Sequence, residues 1–207
     1  MQWGYKNLVI VSGASGTGKS FFLKKLKKGD SSDFVTSILE EVNVPSQSLI
    51  KLASIKKFLS LRRKSARNSK KSSKTAFIHY DITGARQSLK RDCLREIMDK
   101  SDNVSVIILY TPYRYWRERM LKRKESKLSN KLPKEVRSIL DLRLNSLTGR
   151  LRYHSAYTEW QEFLNESNVG KILFIDTYLE VIFYRLPFDF SALTFSRFFK
   201  NITNISL

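Results

Sequence analysis

Apolar runs and helical patterns alternate along the chain. Four short runs rich in β-branched and aromatic residues predict buried strands at residues 8–11, 75–81, 104–110 and 171–176. Apolar residues at helical spacing predict helices after residue 20 and at residues 34–42, 85–100, 113–124 and 140–164. Strands that alternate with helices in this way predict an α/β fold with a doubly wound, mostly parallel sheet flanked by helices. Ligands are expected at the carboxyl ends of the strands.

Two further segments have patterns of their own. Residues 46–61 predict an amphipathic helix, at least in the first half, from apolar residues that share one face: Leu49, Leu52, Ile55, Phe58 and Leu59. The Ser-, Lys-, Arg- and Asn-rich tract at residues 62–74 predicts a loop. The tail, residues 181–207, is rich in phenylalanine and predicts a helix covering one face of the sheet, with membrane or partner docking as the alternative.

Length and composition predict one soluble domain. The 207 residues suffice for a single sizeable core, and a hydrophobic content of 42% is typical of a globular protein. No apolar run approaches the ~20 residues of a membrane span, so we expect no integral membrane association. The first residues lack the features of a signal peptide, which predicts a cytoplasmic protein. The single cysteine, Cys93, has no partner for an internal disulfide and no ligand-spaced companions, so we expect a buried thiol.

The charge is strongly positive and unevenly distributed. A net charge of +19, from 38 basic and 19 acidic residues, indicates polyanionic partners rather than a particular fold. Residues 51–74 contain ten Lys or Arg and no acidic residue, and we expect this basic segment to be mobile. One interpretation is that it gathers nucleic acid or a phosphorylated acceptor, and the other is that it is simply solvated.

An eight-residue phosphate-binding pattern follows the first predicted strand: Gly13, Ala14, Ser15, Gly16, Thr17, Gly18, Lys19 and Ser20. Glycines let the backbone wrap around phosphates, and the amides at a helix N-terminus point at them. Lys19 is expected to meet the β- and γ-phosphates, and Ser20 is expected to bind Mg²⁺. Because the pattern lies between a strand and a helix, it predicts a P-loop that binds ATP or GTP with Mg²⁺.

A P-loop enzyme also needs a carboxylate near the metal ion, and Asp81 is the candidate. It ends a predicted strand, and such a strand often lies beside the P-loop strand. Asp81 would hold Mg²⁺ or take a proton from an attacking hydroxyl, and the alternative is a turn or helix N-cap aspartate. Asp176 ends the last predicted strand, and His79 is expected to point into the sheet or its packing layer rather than act in catalysis.

Arginines in the second half of the chain could stabilise charge on a transferred phosphoryl group. Arg119 and Arg123 lie four residues apart and therefore share one face of the predicted helix. Residues 113–126 would form a basic, lid-like helix whose guanidinium groups close over the γ-phosphate. The alternative is that these side chains cover a solvated helix surface.

The P-loop, the strand ending at Tyr110-Thr111-Pro112, the arginine-rich helix and the later Arg143-Leu144 pattern together resemble the P-loop kinase superfamily, and guanylate kinase-like enzymes in particular. The resemblance extends over residues 6–180, although only the P-loop is specific. It implies that Arg119 and Arg123 are lid arginines and that Arg143 contacts the nucleotide. Nothing between residues 30 and 74 matches the segment that receives GMP in guanylate kinases, which implies a different acceptor.

These features predict one function and leave two alternatives. The prediction is a kinase that moves the γ-phosphoryl group of ATP, or of GTP, to an unidentified hydroxyl or phosphate acceptor, with Mg²⁺ as cofactor. Its predicted catalytic residues are Lys19, Asp81, Arg119, Arg123 and Arg143. The alternatives are a nucleotide-regulated NTPase that binds nucleic acid through its basic segments and a sulfotransferase-like protein.

Overall fold

The computed structural model describes residues 5–28, 32–44, 51–53, 72–83, 87–128 and 147–183. The strands in these ranges are β1 (Tyr5–Gly13), β2 (Lys51–Ala53), β3 (Ser72–His79), β4 (Asn103–Tyr110), β5 (Lys171–Asp176) and β6 (Val181–Phe183). The helices are α1 (Lys19–Lys27), α2 (Asp33–Glu41), α3 (Gln87–Asp99), α4 (Tyr113–Leu128) and α5 (Leu147–Asn165). None of these helices is both long and apolar enough to cross a membrane.

The strands form one sheet in the order β2-β3-β1-β4-β5-β6. Neighbours from β2 to β5 run parallel, whereas β6 pairs with β5 in the antiparallel direction. The predicted α/β fold, a doubly wound and mostly parallel sheet flanked by helices, is therefore confirmed. Because β1 lies between β3 and β4, its carboxyl end is flanked by the ends of two other strands, which is where ligands bind in such sheets.

Helices cover both faces of the sheet, as the apolar character of its strands requires. On one face, Leu8 and Ile10 of β1 pack with buried residues of α3, α4 and α5. On the other face, Val9 and Val11 pack with buried residues of α1 and α2. Cys93 is buried in the first of these layers, as predicted. The loop that follows β1 therefore begins at a strand that is packed against helices on both faces.

Most element boundaries agree with the sequence patterns. The predicted strands at residues 75–81, 104–110 and 171–176 correspond to β3, β4 and β5. The helices predicted at residues 34–42, 85–100 and 113–124 correspond to α2, α3 and α4. α5 covers most of the helical pattern at residues 140–164, of which residues 140–146 lie outside the described ranges.

Three local predictions were wrong. Residues 51–53 were predicted within a helix, but they form β2 and pair with residues 76–78 of β3. Residues 72–74 were predicted within a loop and instead begin β3, and residues 181–183 form β6 rather than a helix. In each case pairing with a neighbouring strand determines the backbone conformation and overrides the preference of the local sequence pattern. The remainder of the basic segment and of the tail, residues 54–71 and 184–207, lies outside the described ranges.

Candidate functional site

The P-loop leaves β1 at Gly13 and enters α1 at Lys19. Gly13, Gly16 and Gly18 have φ angles of 140°, 90° and 94°, which residues other than glycine rarely adopt. Gly16 also lies against α4, since a Cβ atom there would come within 2.6 Å of Met120 Sδ. The loop therefore needs three glycines for its shape.

The first turn of α1 begins at the loop. Gly18 is the N-cap residue, no side chain caps this end of the helix, and the first turn contains no acidic residue. Amides at a helix N-terminus lack partners within the helix and carry partial positive charge. Ser20 is exposed in the same turn. This arrangement suits an anion such as a phosphate group.

Lys19 is enclosed by the loop it follows. Its side chain is 4% exposed, and Nζ donates hydrogen bonds to Gly13 O at 2.7 Å and Ala14 O at 2.5 Å. A buried ammonium group needs such partners because its desolvation is costly. The P-loop thus curls around a positive charge.

Tyr157 of α5 braces the start of the P-loop. Its buried hydroxyl accepts a hydrogen bond from Ala14 N at 3.2 Å and donates one to Leu109 O at 2.9 Å, so it links the loop to β4. Burial raises the pKa of the Tyr157 hydroxyl well above its ordinary value, so the group keeps the proton that it donates. Sequence analysis missed this residue, because a lone tyrosine 143 positions away carries no motif.

Ser15, one residue further along the loop, is held from two sides. Its N–H donates to Thr83 Oγ1 at 3.1 Å, and its carbonyl oxygen accepts a hydrogen bond from Trp116 Nε1 at 2.6 Å. Thr83 follows β3, and Trp116 lies in the second turn of α4. α4 therefore packs against the P-loop through its N-terminal half.

Replacing Tyr157 with phenylalanine is expected to lower the free energy of unfolding by about 1–3 kcal/mol, because Ala14 N and Leu109 O lose a buried partner. Nucleotide affinity should fall as well, because the loop is less well held. The control is Tyr153→Phe, since Tyr153 OH donates to Thr111 O and is connected with the P-loop only through a longer contact of 3.4 Å with Tyr157 OH. Chemical denaturation and nucleotide titration would measure both effects, and equal nucleotide affinity in the two variants would contradict the bracing role.

Asp81 lies beside the P-loop strand, because the chain after β3 stays hydrogen-bonded to β1. Ile82 N donates to Gly13 O at 3.2 Å. The Asp81 carboxylate also forms the turn considered as its alternative, since Oδ1 accepts hydrogen bonds from Thr83 N at 3.0 Å and Thr83 Oγ1 at 2.8 Å. Asp81 thereby orients the threonine that holds Ser15. Its role in metal binding or proton transfer stays a prediction.

His79, the last residue of β3, is exposed, so the expectation that it points into the sheet or its packing layer was wrong. It pairs in register with Val11, two residues before Gly13. Partial desolvation and then the positive charge of Lys19 lower the pKa of His79, against an opposite effect of Asp81. His79 is therefore electrostatically coupled to both predicted site residues.

Arg119 of α4 lies at the carboxyl ends of β4 and β5. Its guanidinium group donates to Thr111 Oγ1 at 3.3 Å, to Thr177 Oγ1 at 3.2 Å and to Thr177 O at 3.3 Å. These contacts hold the half-buried side chain on the threonines that follow the two strands. Nothing is described of the Arg123 side chain, and Arg143 lies outside the described ranges, so the roles predicted for these two arginines stay predictions.

A cavity of about 440 Å³ opens beside the P-loop. Its wall is formed by the P-loop, by α1, α2 and α4, and by the ends of β4 and β5; it includes Gly16, Gly18, Phe21, Lys25, Arg119 and Glu180. Phe21 is 65% exposed, with the Lys25 ammonium 5.3 Å from its ring centroid. The volume and the mixed apolar and charged lining are typical of a small-molecule site.

Among the described residues, no group of three or more His, Cys, Asp or Glu side chains could hold a metal ion. A P-loop does not need such a group, because Mg²⁺ there takes a hydroxyl ligand, phosphate oxygens and water. The exposed Ser20 hydroxyl and the Asp81 carboxylate fit that chemistry.

No family model matches the chain, and no curated protein matches it. Among solved structures it is similar to a putative kinase from Chloroflexus aurantiacus, at 14% identity over 100% of both chains with a TM-score of 0.42. It is also similar to the YGR205w protein (14% identity, 86% of this chain and 88% of that one, TM-score 0.37). A sugar kinase from Janibacter sp. HTCC2649 aligns at 14% identity over 91% of this chain and 93% of that one, with a TM-score of 0.32. Similarities this weak carry no argument about activity, and the guanylate kinase resemblance stays a prediction.

Proposed function

We propose that this chain is a P-loop kinase that transfers the γ-phosphoryl group of a purine nucleoside triphosphate, bound with Mg²⁺, to a hydroxyl or phosphate acceptor. One observation carries the proposal: the loop has three glycines with positive φ, encloses the Lys19 ammonium and leads into a helix end without a capping side chain. Such a loop suits a chain of phosphates. Lys19 would stabilise the charge on the transferred group.

The cavity beside Gly16 and Gly18 is the proposed site of the nucleoside. Phosphates held by the P-loop would leave the base facing this cavity, where the exposed ring of Phe21 offers a surface for stacking. Stacking of a base on an aromatic ring contributes about 1–3 kcal/mol. Arg119 adds a positive charge to the same cavity.

The acceptor is proposed to lie at the carboxyl end of β3. Ser20 and Asp81 are the proposed protein ligands of Mg²⁺ bound with the nucleotide, and the ion would offset negative charge on the phosphates during transfer. Asp81 would also accept the proton of an attacking hydroxyl.

Thermal stabilisation by nucleotides tests the proposal. ATP or GTP with Mg²⁺ should raise the unfolding temperature of the full chain, because ligand at a hundred times its Kd adds about 2.7 kcal/mol of stability. Removing Mg²⁺ should reduce the shift. Nucleotide labelled at the γ-phosphate should then label a mixture of candidate hydroxyl and phosphate acceptors. Phosphoadenosine phosphosulfate serves as the control donor for sulfuryl transfer.

Three outcomes would contradict a kinase. Stabilisation by phosphoadenosine phosphosulfate alone would favour a sulfotransferase-like protein. Triphosphate hydrolysis without any acceptor, together with nucleic-acid binding that weakens steeply with salt, would favour the nucleotide-regulated NTPase, which the net charge of +19 supports. The absence of any shift with all donors would exclude a functional P-loop.

A further inference from the structure

The hairpin between β5 and β6 contains a glutamate in an unfavourable backbone conformation. Asp176 pairs with Val181, so residues 177–180 form the loop of this hairpin. Glu180 closes the loop with a φ of 55°, in the left-handed region. Glycine or asparagine is the usual residue there, because a longer side chain strains the backbone. The presence of glutamate therefore calls for an explanation.

Other residues determine the shape of this loop. Asp176 Oδ1 accepts hydrogen bonds from Tyr178 N at 2.8 Å and Leu179 N at 3.1 Å. Thr177 N donates to Tyr110 O at 2.8 Å, which ties the loop to β4. The turn is thus formed by hydrogen bonds that do not use the Glu180 side chain. Strained residues of this kind are concentrated at functional sites.

Glu180 lines the cavity beside the P-loop. Among the described residues of the cavity wall, it alone carries a carboxylate, and Lys25 and Arg119 supply positive charges. The P-loop glycines Gly16 and Gly18 line the same cavity. A triphosphate held by the loop would therefore bring its base into reach of the wall that contains Glu180.

We propose that Glu180 selects guanine over adenine, which makes GTP the phosphoryl donor; this rests on the proposed function of the P-loop. A carboxylate only accepts hydrogen bonds, and it can take two parallel N–H donors. The edge of guanine presents two such donors, the ring N1–H and the 2-amino group. Adenine presents an amino group beside a ring nitrogen lone pair, which the carboxylate repels. A site built around a pair of hydrogen bonds rejects a ligand that leaves one unmade.

Affinities of the full chain for four triphosphates with Mg²⁺ test this inference. GTP should bind about ten- to a hundredfold more tightly than ATP, and ITP, which lacks the 2-amino group, should bind more weakly than GTP. dGTP should bind like GTP, because the base and not the ribose is read. Glu180→Gln should remove or reverse the preference, since an amide can also donate to adenine. Glu162→Gln is the matched control, because Glu162 is exposed on α5, outside the cavity wall.

A second readout does not depend on nucleotide. Glu180→Gly should raise the denaturant concentration at the midpoint of unfolding without ligand, because glycine adopts this backbone conformation without strain. In a separate binding measurement, the same variant should lose the preference for GTP. Equal binding of GTP and ATP by the native chain would overturn this inference alone. If dGTP bound as weakly as ATP, Glu180 would contact the ribose rather than the base, which would also overturn this inference. Binding of none of the triphosphates would overturn the proposed function and this inference together.

Discussion

Replacing Lys19 with alanine is expected to abolish phosphoryl transfer and to remove the Mg²⁺-dependent stabilisation by nucleotide. The Lys19 ammonium is the charge enclosed by the P-loop, at hydrogen-bond distance from Gly13 O and Ala14 O. Without it, no side chain of the loop offsets the negative charge of the β- and γ-phosphates. Loss of one well-placed donor lowers kcat by about a hundred- to a thousandfold, and we expect at least this. Single-turnover kinetics with labelled nucleotide would measure the loss.

The matched control for this variant is Lys24→Ala, which removes the same charge from an exposed position of α1. It should retain both stabilisation by nucleotide and turnover. Circular dichroism should show that Lys19→Ala remains folded, because its strands and hydrophobic layers are unchanged. A folded Lys19→Ala protein with native turnover would eliminate the P-loop as the reaction site.

Replacing Gly13 with alanine is expected to destabilise the whole chain by about 3 kcal/mol or more. The new Cβ atom would lie 2.3 Å from Leu109 O and 2.9 Å from Thr17 Oγ1, and the φ of 140° adds backbone strain. Leu109 O is a backbone atom of β4 that already accepts the Tyr157 hydrogen bond, so it cannot move aside without loss. Chemical denaturation would measure the change in the free energy of unfolding.

Two other glycines separate the effect of the steric clash from the effect of backbone strain. Gly18 has a φ of 94°, but a Cβ atom there would meet nothing within 4 Å, so Gly18→Ala should lose only about 1–2 kcal/mol through strain. Gly170 has neither problem, since its nearest neighbour, Val104 O, would lie 3.5 Å away, and Gly170→Ala should be close to neutral. If Gly13→Ala lost no more stability than Gly18→Ala, the packing of β1 against β4 would not be the reason for this glycine.

The P-loop and the sheet were predictable because their signals are local. Eight consecutive residues between a strand and a helix specify the loop, and continuous apolar runs specify buried parallel strands. β2 was not predictable in this way, because Leu52 fits the helical spacing of Leu49 and Ile55 as well as it fits a strand. Only the pairing of β2 with β3 distinguishes a strand from a helix here, and the local pattern does not predict that pairing.

The side chains that hold the loop were beyond sequence analysis for a related reason. Tyr157 and Trp116 belong to aromatic patterns typical of any helix packed on a sheet, and nothing in their spacing connects them to the P-loop. The exposure of His79, the last residue of β3, also does not follow from the strand pattern alone. Asp81 was identified by its strand end, yet its carboxylate also forms a turn with Thr83, so the two interpretations are not exclusive.

The three braces of the P-loop also determine when it can form during synthesis. Thr83, Trp116 and Tyr157 follow their partners in the loop by 68, 101 and 143 positions. A nascent chain that has produced the eight loop residues therefore lacks all three of these side chains. Contacts of such high sequence separation form slowly, because long loops must close first. Nucleotide binding would then be a late event in folding, acquired only when α5 has docked, and ligand would protect the entire sheet against unfolding rather than the loop alone.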